Sequence, residues 1–280
     1  MKKLCLAVIV LSLCALSFAG TLGTPTDNNQ QEAAARQKAE GLQGVPHSPL
    51  ASVTCAFNFA SGANNTFLGY CVSENGNILN IQTPANQQQL FAREGYGFCD
   101  ISSNTEYFDF AGAGDTSNWN PAIVLSHNTN TVKIARTTSD GIWTLNQTIT
   151  QVPMTSSIKV TMTLKNNLAV SKEVQLVRFA DIDADNVTAN TVDATINDAM
   201  IFNSVGRGNS FGLALQNVGT SPFTYLGYVQ NVPSAVHPCS PFTNLAIGPL
   251  VGTDGSGVMT YVITIPAHSS KTVNVGYRGL

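Results

Sequence analysis

From Ala51 onward, apolar and polar positions alternate with a period of two. "SVTCAFNF", "NTFLGYCVS", "GNILNIQT", "TVKIARTT", "WTLNQTITQV", "SIKVTMTLKN", "KEVQLVRFA", "FGLALQNV", "TYLGYVQNV", "VMTYVITI" and "KTVNVGYR" all read as strands, rich in Val, Ile, Thr, Phe and Tyr. "ENGN", "SDG", "KNN", "GRGN", "TDGSG" and "PAHSS" supply the turns between them. Short strands joined by tight turns, with no amphipathic helices between them, predict an all-β fold, a large antiparallel β-sandwich rather than a parallel α/β sheet. No Pro- or Gly-rich linker divides residues 51–280, so one sandwich domain is expected there. No fixed-period repeat points to a propeller.

The pattern differs upstream. Residues 20–50 hold no aromatic side chain and few large aliphatic ones, which predicts a flexible leader with a transient helix in "QQEAAARQKAEGL" at most. Before it, Lys2 and Lys3 precede an apolar run, Leu4 to Leu16, and the small-x-small site Ser17-Phe18-Ala19. That is the anatomy of a cleavable secretion signal over residues 1–19. The run is too short to span a bilayer, and no later segment is long and apolar enough, so no membrane insertion is expected after cleavage. Secretion or periplasmic export changes how the cysteines are read. Of six, Cys5 and Cys14 leave with the signal, and Cys55, Cys71, Cys99 and Cys239 remain. An even number in an exported chain predicts two disulfides. "CAFNFASGANNTFLGYC" has two apolar arms around a turn, so a hairpin pairs Cys55 with Cys71 and leaves Cys99 for Cys239.

Charge is scarce. Charged residues are 11% of the chain against a typical quarter, and the net charge of −3 carries no basic footprint for nucleic acid. Against that background "RFADIDADN" stands out, with Asp181, Asp183 and Asp185 on alternate positions. Carboxylates two apart on a strand lie about 7 Å from each other and repel by about 2 kcal/mol at an effective dielectric near 20. Calcium would relieve this, because it gathers about six to eight oxygens at about 2.4 Å. The frame fits the start of a D-x-D-x-D loop, with Asn186 able to take the turn, but Val192 stands where an EF-hand needs a bidentate Glu. An EF-hand is excluded. A different calcium loop completed by Asp193, Asp198 or a distant residue, a solvated acidic connection, and a catalytic cluster remain the alternatives.

"NGNILNIQTP", "REGYGFC", "RTTSDGIWTLNQT", "RFADIDAD" and "SSKTVNVGYR", in that order, resemble a group of uncharacterised exported bacterial proteins with all-β domains. The resemblance covers most of Cys55 to Tyr277 and implies the fold and the export; it implies no activity.

Other chemistry is sparse. His127, His237 and His268 stand apart, with no H-x-H or HExxH spacing, and no G-x-S-x-G elbow occurs. Glu94, Glu106 and Asp109 are the carboxylates best placed for glycoside chemistry, but they read more simply as edge-strand charges. Trp143 alternates in phase with Leu145 and belongs to the core, whereas Trp119, in the loop "AGDTSNWNP", is the candidate surface ring for stacking on a sugar. The expectation is an exported sandwich that binds extracellular carbohydrate, with calcium as a structural ion. A carbohydrate-active enzyme and a surface-assembly protein are the rivals.

Overall fold

The computed structural model describes residues 54–85, 88–91, 93–111, 114–152, 155–184, 190–195, 199–204, 212–219, 224–230, 237–240, 245–246, 250–253 and 256–280. All of them belong to one compact unit spanning 45–280. The segments expected to be signal and leader, residues 1–50, lie outside the described residues, as does Asp185.

The chain opens with an antiparallel meander, β1 (Phe57–Ser61), β2 (Leu68–Val72), β3 (Ile78–Gln82) and β4 (Gln88–Phe91), which forms a four-stranded sheet. Next come β5 (Glu94–Asp100), β6 (Thr105–Phe110) and β7 (Gly114–Asp115) at one side of a seven-stranded sheet. The hairpins β8 (Ile123–His127), β9 (Thr131–Thr137), β10 (Trp143–Val152) and β11 (Ser157–Asn166) build half of a nine-stranded sheet. After β12 (Lys172–Asp181), which pairs with β5, the strands β13 (Asn190–Thr195), β14 (Ala199–Ser204) and β15 (Gly212–Asn217) return to the nine-stranded sheet. The rest of the chain is β16 (Thr224–Gln230), β17 (Leu245–Ala246), β18 (Leu250–Thr253), β19 (Ser256–Ile265) and β20 (Ser270–Gly279). The larger sheet has the order β18-β13-β14-β15-β20-β11-β10-β9-β8, and the smaller one β17-β16-β19-β12-β5-β6-β7. Every named strand pairing is antiparallel. The all-β sandwich expected from the alternation is what forms, with a third, four-stranded sheet added to the two large ones.

Alternation explains the large sheet directly. Along β10 and β11, buried and half-buried residues alternate almost without a break, so one face carries Trp143, Leu145, Ile149, Val160 and Met162 into the core and the other faces solvent. Each fully buried aliphatic or aromatic side chain contributes about 1.5–3 kcal/mol of transfer free energy. The seven-stranded sheet is different: β5 and the last eight residues of β12 are buried on both faces. Leu176 and Ala180 join the main core, while Val177 and Phe179 pack on the opposite side with Phe110 and Val258. On that second side, Gly97 makes room for the chain above it. A Cβ there would come within 2.9 Å of the Pro238 ring and 2.6 Å of Phe108 Cβ.

Two disulfides are present, Cys55–Cys71 and Cys99–Cys239, the same pairs reached from the spacing. The first closes the β1–β2 ladder, and the second ties β5 to the 237–240 segment over Gly97. At the far edge of the large sheet, β8 is exposed along its whole length, including Ile123, Val124 and Leu125. Its pairing with β9 shifts register between Val124 and Ser126, and Pro121 precedes it, both devices that discourage a further strand from adding. Among the described residues no helix is long and apolar enough to cross a membrane.

Candidate functional site

The acidic stretch does not form one carboxylate face. The strand β12 ends at Asp181, so Asp183 lies beyond it, half-buried, and Asp185 is outside the described residues. Asp181 is buried; its Oδ1 accepts a hydrogen bond of 3.1 Å from Ser256 Oγ, its cross-strand partner on β19, and its Oδ2 lies 3.9 Å from Arg93. For Asp181 this corrects the expectation of a solvated connection. Burial of a carboxylate is costly unless it is paired, and Arg93 and Ser256 supply the pairing. No group of three or more His, Cys, Asp or Glu positioned for a metal occurs among the described residues. A calcium ion on Asp181, Asp183 and Asp185 would have to take Asp181 from Arg93.

Trp119 is not a surface platform. Only 8% of it is exposed, and its indole N–H donates to the Phe108 carbonyl at 3.3 Å. Its ring meets Tyr96, Phe98 and Tyr107 edge-on, and the Arg136 guanidinium lies 5.1 Å from the ring centre. The loop residues around it are polar, which hid the fact that Trp119 itself turns inward. Trp143 is in the core, as its phase predicted.

Glu94 and Asp109 are also corrected: neither is an edge charge. Glu94 is fully buried at the junction of all three sheets. Its Oε1 accepts from Arg178 Nε of β12 and, at 2.6 Å, from the Tyr277 hydroxyl of β20; its Oε2 accepts from the Ile78 backbone N–H of β3 at 2.7 Å. Arg178, equally buried, donates onward to Gln147 Oε1 of β10 at 2.7 Å and to the Gly76 carbonyl at 3.4 Å. Gly76 has φ of +92°, and a Cβ there would strike the Gln147 amide at 2.4 Å, so the turn before β3 requires glycine. Asp109 of β6 pairs with buried Arg136 of β9, which also donates to the Tyr96 hydroxyl at 3.1 Å, while Asn77 donates to the Asp109 carbonyl at 3.0 Å. Burial pushes the Glu94 carboxyl up from its ordinary value, against the pull of Arg178 and the donors around it. Burial likewise pushes Asp109 up, against Arg136.

These two ion pairs and their hydrogen bonds join strands from three sheets, and both carboxylates are enclosed and already matched by a guanidinium. Their chemistry is structural. The pairs span 84 and 27 residues of sequence, so spacing could not reveal them. One signal was available: in "REGYGFC", Glu94 shares its strand phase with Tyr96 and Phe98, which is an inward phase.

Glu106 is a surface residue. Its carboxylate meets the imidazole of His237 at 3.1 Å and accepts the Cys239 backbone N–H at 2.9 Å, beside the second disulfide. Hydrogen bonding to Glu106 raises the His237 pKa, opposed by burial. Burial pushes Glu106 up, but the contacts with His237 and Cys239 together bring it below its ordinary value.

The accessible chemistry lies on the outer face of β9, β10, β11 and β20. Their registers align side chains in ranks across four strands: Lys133, Thr148, Thr161 and Asn274 form one rank, and Ala135, Asn146, Thr163 and Thr272 the next. All of these except Ala135 are half-buried or exposed. Neighbouring strands are about 4.8 Å apart and alternate residues on a strand about 7 Å apart, so the hydroxyls and amides repeat on a regular grid. Cross-strand hydrogen bonds hold their rotamers: Thr161 Oγ1 donates to Asn274 Oδ1 at 2.7 Å, and the Thr163 and Thr272 hydroxyls lie 2.8 Å apart. Among the described residues of β9, β10, β11 and β20 no aromatic ring belongs to this face, since Trp143 and Tyr277 point into the core.

No protein-family model matches the sequence, and no curated protein is similar to it. Similar folds occur among solved structures. A bacterial glucoamylase crystallised with acarbose is 10% identical and superposes with a TM-score of 0.55 over 85% of this chain and 34% of its own. This chain therefore spans about a third of that protein. A putative aldose 1-epimerase from Escherichia coli K12 is 9% identical, with a TM-score of 0.48 over 80% of this chain and 99% of its own. A heparan sulfate lyase from Pedobacter heparinus is 9% identical, with a TM-score of 0.45 over 91% of this chain and 40% of its own. At such identities the glucoamylase likeness shows a shared β-sandwich fold and nothing finer.

Proposed function

We propose that this protein is exported under its N-terminal signal and binds extracellular glycan through the outer face of β9, β10, β11 and β20. The observation that carries this reading is the grid of threonine and asparagine side chains on that face, which offers hydrogen-bond donors and acceptors at a fixed spacing. A sugar chain presents hydroxyls of the same kind. The fold shared with a glucoamylase that was crystallised with acarbose supports a carbohydrate ligand, and two disulfides fit an oxidising compartment. Catalysis is less well served, because Glu94 and Asp109 are enclosed and paired.

A single hydrogen bond contributes about 1 kcal/mol net, whereas micromolar affinity needs about 8 kcal/mol. The ligand is therefore an extended chain that meets several ranks at once, not a monosaccharide. A glycan array probed with the exported protein tests this. Retention on oligosaccharides with little on monosaccharides is the expected outcome, and absence of retention on every glycan would end the proposal.

A further inference from the structure

We infer that the glycan is anionic: an extended polysaccharide bearing carboxylate or sulfate groups, held on the same outer face by Lys133, Lys159, Lys165 and Arg278. The inference rests on the glycan-binding reading and adds its charge class. The described cations divide sharply. Arg136 and Arg178 are buried against Asp109 and Glu94, Arg93 lies beside Asp181, and Lys172 pairs with Asp100 at 3.1 Å. Lys271 stands opposite Leu164, in the core-facing phase of β20. The other four cations all fall on the outer face of β9, β11 and β20, half-buried or exposed, and none is in an ion pair among the described residues.

That face lacks the opposite charge. None of the chain's 17 acidic residues lies on β9, β10, β11 or β20. The turn between β9 and β10 contains Asp140, but Tyr107 donates to it at 2.6 Å and the Ile142 amide at 2.9 Å, so its oxygens are engaged. In a chain of net charge −3, a face with four cations and no carboxylate is a local reversal of sign. Like charges on neighbouring strands repel, and the fold gains nothing by gathering them; a polyanion would relieve that repulsion.

Their spacing sets the size of the partner. Lys159 and Lys165 are six residues apart on β11, about 20 Å, and Lys133 lies two strands away from β11, about 10 Å. One monosaccharide cannot reach more than one of them. A chain with repeated anionic groups can, and its hydroxyls would meet Thr148, Thr161 and Thr163 between the cations. The absence of aromatic rings disfavours single-stranded nucleic acid, which is held chiefly by stacking.

The test compares dextran, carboxymethyl dextran and dextran sulfate, which share one backbone, in affinity electrophoresis with the exported protein and with the variant Lys133→Ala/Lys159→Ala/Lys165→Ala. These lysines are solvent-facing, so the variant should fold, and an unchanged melting temperature checks that it does. Expected are retardation by one or both charged dextrans, none by dextran, a loss of about tenfold in affinity for the variant, and weakening with added salt. Which dextran retards the protein separates a carboxylate ligand from a sulfate one. Retention on neutral glycans that the variant keeps would overturn the anionic inference and leave glycan binding standing. No retention by charged dextrans or by any arrayed glycan would remove both. Equal, variant-sensitive binding of single-stranded DNA or of phosphatidylserine vesicles would make the face a general polyanion surface and overturn the glycan assignment.

Discussion

At the scale of residues, the buried Glu94–Arg178 pair and its hydrogen bonds to Ile78, Tyr277 and Gln147 link strands of all three sheets. Removing one member of a buried pair leaves an uncompensated charge, so Arg178→Met should cost about 3–5 kcal/mol. Replacing both, as in Glu94→Leu/Arg178→Met, should cost less than the sum of the two single changes, because neither charge is then stranded. Denaturant titration of the three variants measures this; additive losses would mean that the pair is not coupled. The same residues show what the sequence could and could not disclose. Cysteine pairing was legible because a hairpin and an even count leave one sensible connectivity, and Trp143 because it keeps phase with Leu145. Trp119 and Asp181 were not. Each takes its environment from residues far along the chain: Trp119 from Arg136 and Tyr96, Asp181 from Arg93 and Ser256.

At the scale of elements, strands with one wet face announced themselves. The patterns of β10, β11 and β20 were plain in the alternation, and with them the whole outer face. Strands buried on both faces, or open on both, lack that signature. Thus β5, with its Gly-x-Gly, is not among the segments that the alternation marks as strands, and the third sheet does not emerge from the pattern. The candidate site was only half legible: its threonines could be placed on one side of each strand, but the clustering of Lys133, Lys159 and Arg278 depends on registers between β9, β10, β11 and β20 that only the fold supplies.

One link between elements is sensitive to pH. Glu106 of β6 reaches His237 beside Cys239, with the Glu106 pKa lowered and that of His237 raised. A lowered carboxylate stabilises above its unfolded value, near pH 4.3, and loses that contribution as pH falls through its folded value. A raised imidazole stabilises fully below its unfolded value, near pH 6.5, and loses that contribution as pH rises through its folded value. The pair therefore contributes most between about pH 4.3 and 6.5, and within about 1 kcal/mol because both groups are partly exposed. His237→Asn should lower the melting temperature slightly at pH 5.5 and much less at pH 8.5; a difference that does not vary with pH would show that the imidazole charge is not involved.

At the scale of the whole molecule, charge and burial divide the labour. Glu94 and Asp109 are enclosed and paired with guanidinium groups, whereas among the described residues threonine, asparagine and lysine side chains repeat on one face of the largest sheet. The proposed binding face and the buried ion-pair network are thus separate, and the face can be blocked without disturbing the network. The most direct test places a single cysteine at Thr161, in the middle of that face, and attaches a bulky maleimide; the control carries the same label at Glu173, an exposed position on β12 of the other large sheet. Binding on the outer face predicts that the Thr161→Cys conjugate loses retention on the glycan that holds the unlabelled protein, while the Glu173→Cys conjugate keeps it. Undiminished retention of the Thr161→Cys conjugate would contradict it.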